Sequence, residues 1–315
     1  MPPSVCVIIA AYNCESTIVR AVASALAEPE VAEVVVVDDS SSDNTVAVAK
    51  VADDGSNRLK ILIQPRNGGP SAARNRAISE SNSPWLAVLD SDDFFLPGRI
   101  KGLLSYAEDA DFIADDMWQV PENNVDGPRR GLLEPPITAP QPVSFAEFVL
   151  SNVTRRGRNR GELGFIKPLM RRQFLAANRI MYQEHMRLGE DFELYARALA
   201  LGARMRLVPA QGYISVVRAD SLSGRHSETD LLHLRDCDNA LINDIKLSNT
   251  DKAALRQHYL SMDCRLQWRL LIIAVKNRDI GKAFATFIRP YPVPVYLFMQ
   301  LALQVYIRSF SKRKH

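Results

Sequence analysis

The chain is poor in the features that most readily announce a function. It has four cysteines in 315 residues, Cys6, Cys14, Cys237 and Cys264. None has the paired spacing of a zinc site and Cys6 sits within a β-branched run, which fits a reducing compartment without a disulfide framework. No Gly-x-Gly-x-x-Gly follows the first apolar run; Ala10-Ala-Tyr-Asn13 stands there instead, which argues against a dinucleotide-dependent dehydrogenase. A sugar-1-phosphate nucleotidyltransferase would open with a glycine-rich phosphate loop and a basic residue, and that place offers neither. No apolar run reaches the roughly 20 residues needed to span a bilayer. The first strand begins at residue 4 without a basic and then apolar leader, so no signal peptide is expected. With 47% hydrophobic and 24% charged residues, the chain can bury a sizeable core, and one catalytic domain with an appendage is the natural count. No nucleic-acid partner is expected.

What the chain does have is acid at the ends of apolar strands. Val88-Leu-Asp-Ser-Asp-Asp93 places Asp90, Asp92 and Asp93 directly after a buried run. Like carboxylates this close repel and raise each other's pKa, a conflict that a divalent cation resolves. Hard oxygen ligands suit Mg²⁺ or Mn²⁺, which leave positions for substrate phosphates; a solvated turn would use the same residues. The surroundings alternate strand and helix. Ser4–Ala11 and Glu33–Val37 read as strands buried on both faces, Leu59–Ile63 and Leu86–Leu89 as two more, with helical spacing at Ile18–Leu26, Thr45–Val51 and around Ala72–Ile78. That alternation predicts an α/β fold, a mostly parallel sheet covered by helices, with ligands just beyond the carboxyl ends of the strands.

Five motifs then fall in order: Ile8-Ile-Ala-Ala-Tyr-Asn13, Val36-Val-Asp-Asp-Ser-Ser-Ser-Asp-Asn-Thr45, Asn67-Gly68-Gly69, Ala73-Arg-Asn75 and Leu89-Asp-Ser-Asp-Asp93. Together they resemble the nucleotide-sugar half of the family 2 glycosyltransferases, which have the GT-A fold. The resemblance implies a Rossmann-like catalytic domain over 1–230, with a nucleotide-sugar half (1–110) and an acceptor half (111–230), and a helical C-terminal region over 231–315. It implies that Ala11 and Tyr12 line the uracil and ribose pocket, with Asn13 and Ser91 beside them. Asp39 would bind the uracil edge, as a carboxylate that only accepts hydrogen bonds is suited to do; Asp43 reads as a cap or turn residue. Asp92, aided by Asp90, would hold Mn²⁺ or Mg²⁺ under the diphosphate, with Arg74 near the donor.

Transfer to a hydroxyl also needs a proton acceptor on the face of the sugar away from the leaving group, where the metal carboxylates cannot reach. By resemblance the base is Asp191 in Gly189-Glu190-Asp191-Phe192, with Glu190 shaping the acceptor pocket; the plainer reading is that both acids cap the helix closed by Gly202. Arg155-Arg-Gly-Arg-Asn-Arg160 is either a solvated loop or a basic loop that meets phosphate. Lys167 is a candidate phosphate or acceptor contact. By the same resemblance Arg218 and His226 are candidates for closing over the diphosphate.

Charge is uneven along the chain. From Asp251 onward there are 12 Lys and Arg against 3 Asp, a net of +9 in a chain of net +3. The run Val293–Ile307 is apolar, and Lys312, Arg313 and Lys314 follow it. Such a helix can lie in a lipid interface held by anionic headgroups, or pack on the catalytic domain or on a second subunit, which would make a homodimer. The whole pattern most resembles bacterial exopolysaccharide glycosyltransferases of the succinoglycan type. That resemblance implies single transfer of glucose from UDP-glucose to a diphosphate-lipid-linked oligosaccharide, inverting to a β linkage, by a cytoplasmic protein peripheral on the inner face of the membrane. The Gln-x-x-Arg-Trp sequence of processive synthases is absent. Galactose or an N-acetylhexosamine remain alternative sugars, and a non-catalytic nucleotide-binding scaffold would not need both Asp92 and Asp191.

Overall fold

The structure, a computed structural model, describes residues 4–153, 162–218, 227–243 and 247–311, of which 308–311 by backbone alone. The chain forms two compact units, Met1–Leu222 and Ser223–His315. A division at 230 would cut the first turn of a helix that begins at Glu228.

The first unit is built on one sheet. Strands β1 (Val5–Ala11), β2 (Val31–Asp38), β3 (Leu59–Ile63) and β4 (Trp85–Val88) alternate with helices α1 (Ile18–Leu26), α2 (Thr45–Val51) and α3 (Pro70–Ser79). Strand β5 (Phe94–Phe95), helix α4 (Arg99–Leu104), strands β6 (Phe112–Pro121), β7 (Arg130–Gly131) and β8 (Gln141–Val143), helix α5 (Phe145–Ser151), strand β9 (Leu169–Arg171), helices α6 (Arg172–Ala177) and α7 (Glu190–Ala200), and strand β10 (Met205–Val217) complete it. The sheet order is β3-β2-β1-β4-β9-β6-β10-β5, with β7 on β6 and β8 on β10.

Side-chain pattern explains the central strands. β1 and β4 are buried on both faces, as a parallel sheet sandwiched by helices requires. α1 buries Ile18, Ala21, Val22, Ala25 and Leu26, the i, i+3, i+4, i+7, i+8 stripe of a helix lying on a sheet. The long ladders, β1 with β2 and β4, β2 with β3 and β6 with β10, are parallel as expected. The sheet is nonetheless mixed, because three-residue β9 runs antiparallel between β4 and β6.

One kink positions the site. Between Val208 and Tyr213 the β10 ladder slips against β6, and Gly212 takes φ +128 there, with Leu96 Cβ only 2.9 Å from where its own Cβ would be. Any larger residue would collide with Leu96, so glycine sets the bulge. The bulge turns Tyr213 inward and sends the strand on to Arg218.

The second unit is helical: α8 (Glu228–Ile242), α9 (Asn249–Lys276), α10 (Ile280–Ala285) and α11 (Val293–Ser311). Ser227 and Asp230 form a capping box at the start of α8. A buried Asp238–His258 pair, 2.7 Å apart, ties α8 to α9. Cys264 and Leu271 of α9 pack with Val293 and Leu297 of α11.

Candidate active site

The loops beyond the carboxyl ends of β1, β2 and β4 carry the predicted donor residues. Asn13, at φ +47, accepts from the Ser42 amide at 2.8 Å and donates its own amide to Ser41 Oγ at 2.9 Å. Asp43 accepts from the Thr45 amide and hydroxyl and from the Glu15 amide. These bonds fasten the β1 and β2 loops to each other and leave Tyr12 beside them 52% exposed, a free aromatic face. Ala11 is buried and Ser91 lies against the Cys14 thiol. Asp39 is buried and bound to its own chain: Oδ1 accepts from the Gly68 amide (2.8 Å) and the Gln64 side chain (2.9 Å), and Oδ2 from the Gly69 amide (2.7 Å). Gly69, at φ +87, is the N-cap of α3 and allows the sharp entry that aims Arg74 inward.

Arg74 reaches from α3 to the acids that follow β4 and open α7. Expected beside a donor, it is buried among acids: Nη1 lies 2.6 Å from Glu190 Oε1 and 3.4 Å from Asp191 Oδ1, and Nη2 lies 3.0 Å from Asp90 Oδ1. Lys167, a candidate phosphate or acceptor contact, is buried too, with Nζ 2.6 Å from Asp191 Oδ2 and 3.0 Å from Asp90 Oδ2. Two cations thus bridge the acidic strand end after β4 and the first turn of α7. Tyr182, which carries no sequence signal, donates its hydroxyl to Asp191 Oδ1 at 3.1 Å. Glu190 and Asp191 form the first turn of α7 behind Gly189, which has no side chain to cap with; their carboxylates are engaged by Arg74, Lys167 and Tyr182.

The three acids after β4 have separate environments. Burial alone would raise Asp90, but Lys167 and Arg74 bring it down to about 2. Asp92 is raised, by burial and then by the charge of Asp90, against the pull of Arg218, whose guanidinium donates to Asp92 Oδ2. Arg20 of α1 holds the Asp92 carbonyl at 2.9 Å. Asp93 faces inward: Oδ1 accepts from the Val216 amide at 2.8 Å and Oδ2 from the Tyr213 hydroxyl at 2.9 Å, so it anchors the acidic loop to β10. Behind Lys167, a fully buried Arg99 pairs with Asp115 at 2.7 Å and donates to the Lys167 carbonyl at 2.7 Å. Its guanidinium also lies over the Phe95 and Tyr213 rings. Nothing local in the sequence singles out Tyr213, Arg99 or Arg20. His226 and the Arg155–Arg160 run lie outside the described residues.

Asp93 yields a pH prediction. Burial, and then the charges of Asp92 and Asp90, raise its carboxyl well above the usual carboxylate range. The folded state therefore keeps a proton that the unfolded chain loses near pH 4, and the stability it confers is full below that pH and is lost as pH rises toward the folded pKa. Asp93→Asn, uncharged at every pH, should flatten this loss. Its melting temperature is expected to fall less than that of the wild type between about pH 5 and pH 8; parallel curves would contradict the buried proton.

A divalent metal fits this donor set. Asp90 and Asp92 offer hard oxygens on side chains that are 34% and 23% exposed, and Asp92 is raised partly because Asp90 repels it. Among the described residues no cluster of three or more metal-ligating side chains is arranged around one point. Two carboxylates suit an ion that takes its other ligands from phosphate and water, provided Arg218 gives up Asp92.

Residues 6–172 match the model of Glycosyl transferase family 2. The succinoglycan biosynthesis protein ExoU of Rhizobium meliloti (strain 1021) is 46% identical over 283 residues, which cover 90% of this chain and 82% of ExoU. Among solved structures, S. aureus TarS 1-349 in complex with UDP-GlcNAc superposes with a TM-score of 0.66 at 17% identity, covering 90% of each chain. The mannosyltransferase PcManGT from Pyrobaculum calidifontis, in complex with GDP-Man and Mn²⁺, superposes with a TM-score of 0.60 at 16% identity, covering 99% of this chain and 84% of that one. At such identities the structural likeness carries the fold, which is GT-A. The family match and the relation to ExoU carry more: the chain belongs to glycosyl transferase family 2, and it is a glycosyltransferase.

Proposed function

We propose that the protein moves a single sugar, glucose from UDP-glucose, onto a hydroxyl of a lipid-linked oligosaccharide during exopolysaccharide assembly, inverting the anomeric centre to a β linkage with Mn²⁺ or Mg²⁺. The observation that carries the reading is the bridging of Asp90 and Asp191 by both Arg74 and Lys167, which joins a metal pole and a base pole in one site. The similarity to ExoU supports the exopolysaccharide setting, and the UDP-GlcNAc complex of TarS supports a UDP-sugar donor.

In this reading Ala11, Tyr12, Asn13 and Asp39 take the uridine, and Asp92 and Asp90 hold the metal. The metal, when bound, offsets the charge that gathers on the departing diphosphate. Asp191 accepts the acceptor's hydroxyl proton as that oxygen bonds to the anomeric carbon; the bond from that carbon to the phosphate oxygen breaks on the opposite face, and UDP leaves with the electron pair. Glu190 borders the acceptor. Lys167 pairs with Asp191 before substrate arrives and can turn toward the diphosphate, as can Arg218 once it leaves Asp92. The C-terminal helices rest on the cytoplasmic membrane surface, where a lipid-linked acceptor is found; among the described residues no helix is long and apolar enough to cross a membrane.

The test is UDP release from a panel of UDP-sugars with Mn²⁺, Mg²⁺ or chelator, with and without isolated lipid-linked oligosaccharides. Release is expected to be greatest with UDP-glucose and to drop at least about 100-fold with chelator. Greater turnover of UDP-galactose or UDP-N-acetylhexosamine would reassign the sugar, and full activity in chelator would remove the metal.

A further inference from the structure

Between α9 and α10 the second unit contains a cleft of about 370 Å³. Leu270, Ile273 and Ala274 of α9 give it an apolar wall, and Lys282 and Arg289 add two cations. Asp279 also lines it, capping α10 through the Lys282 amide and pairing with Lys282 Nζ at 3.2 Å. One acid against two bases leaves a net of +1, the complement of a phosphodiester.

The cleft stands among apolar side chains left in solvent. Ile280 is 84% exposed, Phe284 67%, Ile288 68% and Tyr291 80%. Farther along α11, Val305 is 69% exposed, Tyr306 60% and Ile307 51%. Patches of this kind mark surfaces that meet a lipid or another protein. Charge decides between a second copy and a lipid: residues 251–315 carry a net of +9, so two such regions repel, whereas anionic headgroups attract them.

We propose that the cleft between α9 and α10 binds the phosphate headgroup of an anionic membrane phospholipid. Lys282 and Arg289 hold the phosphate while Ile280, Phe284 and Ile288 enter the acyl layer beside it. The proposal rests on the membrane-surface reading above and adds to it a site, separate from the apolar and basic end of the chain.

The experiment is co-sedimentation of the full chain with phosphatidylcholine vesicles that contain or lack phosphatidylglycerol. The wild type should partition onto the anionic vesicles, and K282Q/R289Q should lose about tenfold or more of that partitioning. K252Q/R256Q, which removes the same charge from the start of α9, should lose less than about threefold; F284S/I288S should lose partitioning with its helicity and UDP binding intact. Equal losses in the two charge variants would overturn the cleft while leaving membrane association standing. A wild type that binds neither vesicle would instead overturn the membrane reading itself. Release of the bound protein by millimolar inorganic phosphate at constant ionic strength would make the site one for free phosphate and overturn the lipid as occupant.

Discussion

Asp191→Asn is expected to lower kcat for transfer by about 10³-fold while UDP affinity changes by less than about twofold. The two effects separate because asparagine keeps an oxygen that can accept from Tyr182 or Arg74 but cannot take up the proton of the acceptor hydroxyl. Lys167 loses a 2.6 Å partner and retains Asp90 at 3.0 Å, so the metal pole stays assembled. Single-turnover transfer and calorimetric UDP titration measure the two quantities on one preparation. Loss of both in equal proportion would make Asp191 a structural residue and send the search for the base to Glu190.

Arg74→Met has the other large effect, on stability. Arg74 is buried and balances three carboxylates, and the interaction with Asp191, Glu190 and Asp90 holds its pKa well above the ordinary value against the cost of burial. Without it, Lys167 alone faces Asp90, Glu190 and Asp191. Removing one partner of a buried ion pair costs about 3–5 kcal/mol, which in a unit of this size lowers the melting temperature by about 10 °C. Adding Glu190→Gln should restore part of that, since it removes one of the uncompensated acids. A double-mutant cycle of thermal melts reads the coupling directly, and additive losses would mean that the cluster contributes nothing beyond packing.

What was legible in the sequence divides along physical lines. β3 and α2 lie where their residues predict, at Leu59–Ile63 and Thr45–Val51, because a buried parallel strand and a helical stripe are local signals. The stretch Gly164–Phe174 resembles the family's strand-to-helix passage, and β9 and α6 lie in it, but the place of β9 in the central sheet was not legible: three residues cannot show a period, and β9 is held between β4 and β6 by partners far away in sequence. The site behaves the same way. Carboxylates at strand ends and at the start of a helix are visible as residue types, so Asp90, Asp92, Glu190 and Asp191 could be named. Arg74 and Lys167 could be named as well, but not their pairing with these acids, which they meet only through the fold, and Tyr182 and Tyr213 carry no local signal for the hydroxyls they place on Asp191 and Asp93.

The Asp39 carboxylate has a consequence for which base the donor carries. A carboxylate has about four lone-pair positions, and Gly68, Gly69 and Gln64 occupy three of them. One is left, on Oδ2. If Asp39 reads the base as proposed, it can satisfy one ring N–H, which is what uracil presents along its imide edge. Guanine presents an N–H and an amino group side by side, and one of the two would stay unpaired where Asp39 is buried, at a cost of about 1–3 kcal/mol. Preference for uridine over guanosine would then come from how fully the protein has already used its own acceptor, with no need for a residue that excludes the larger base.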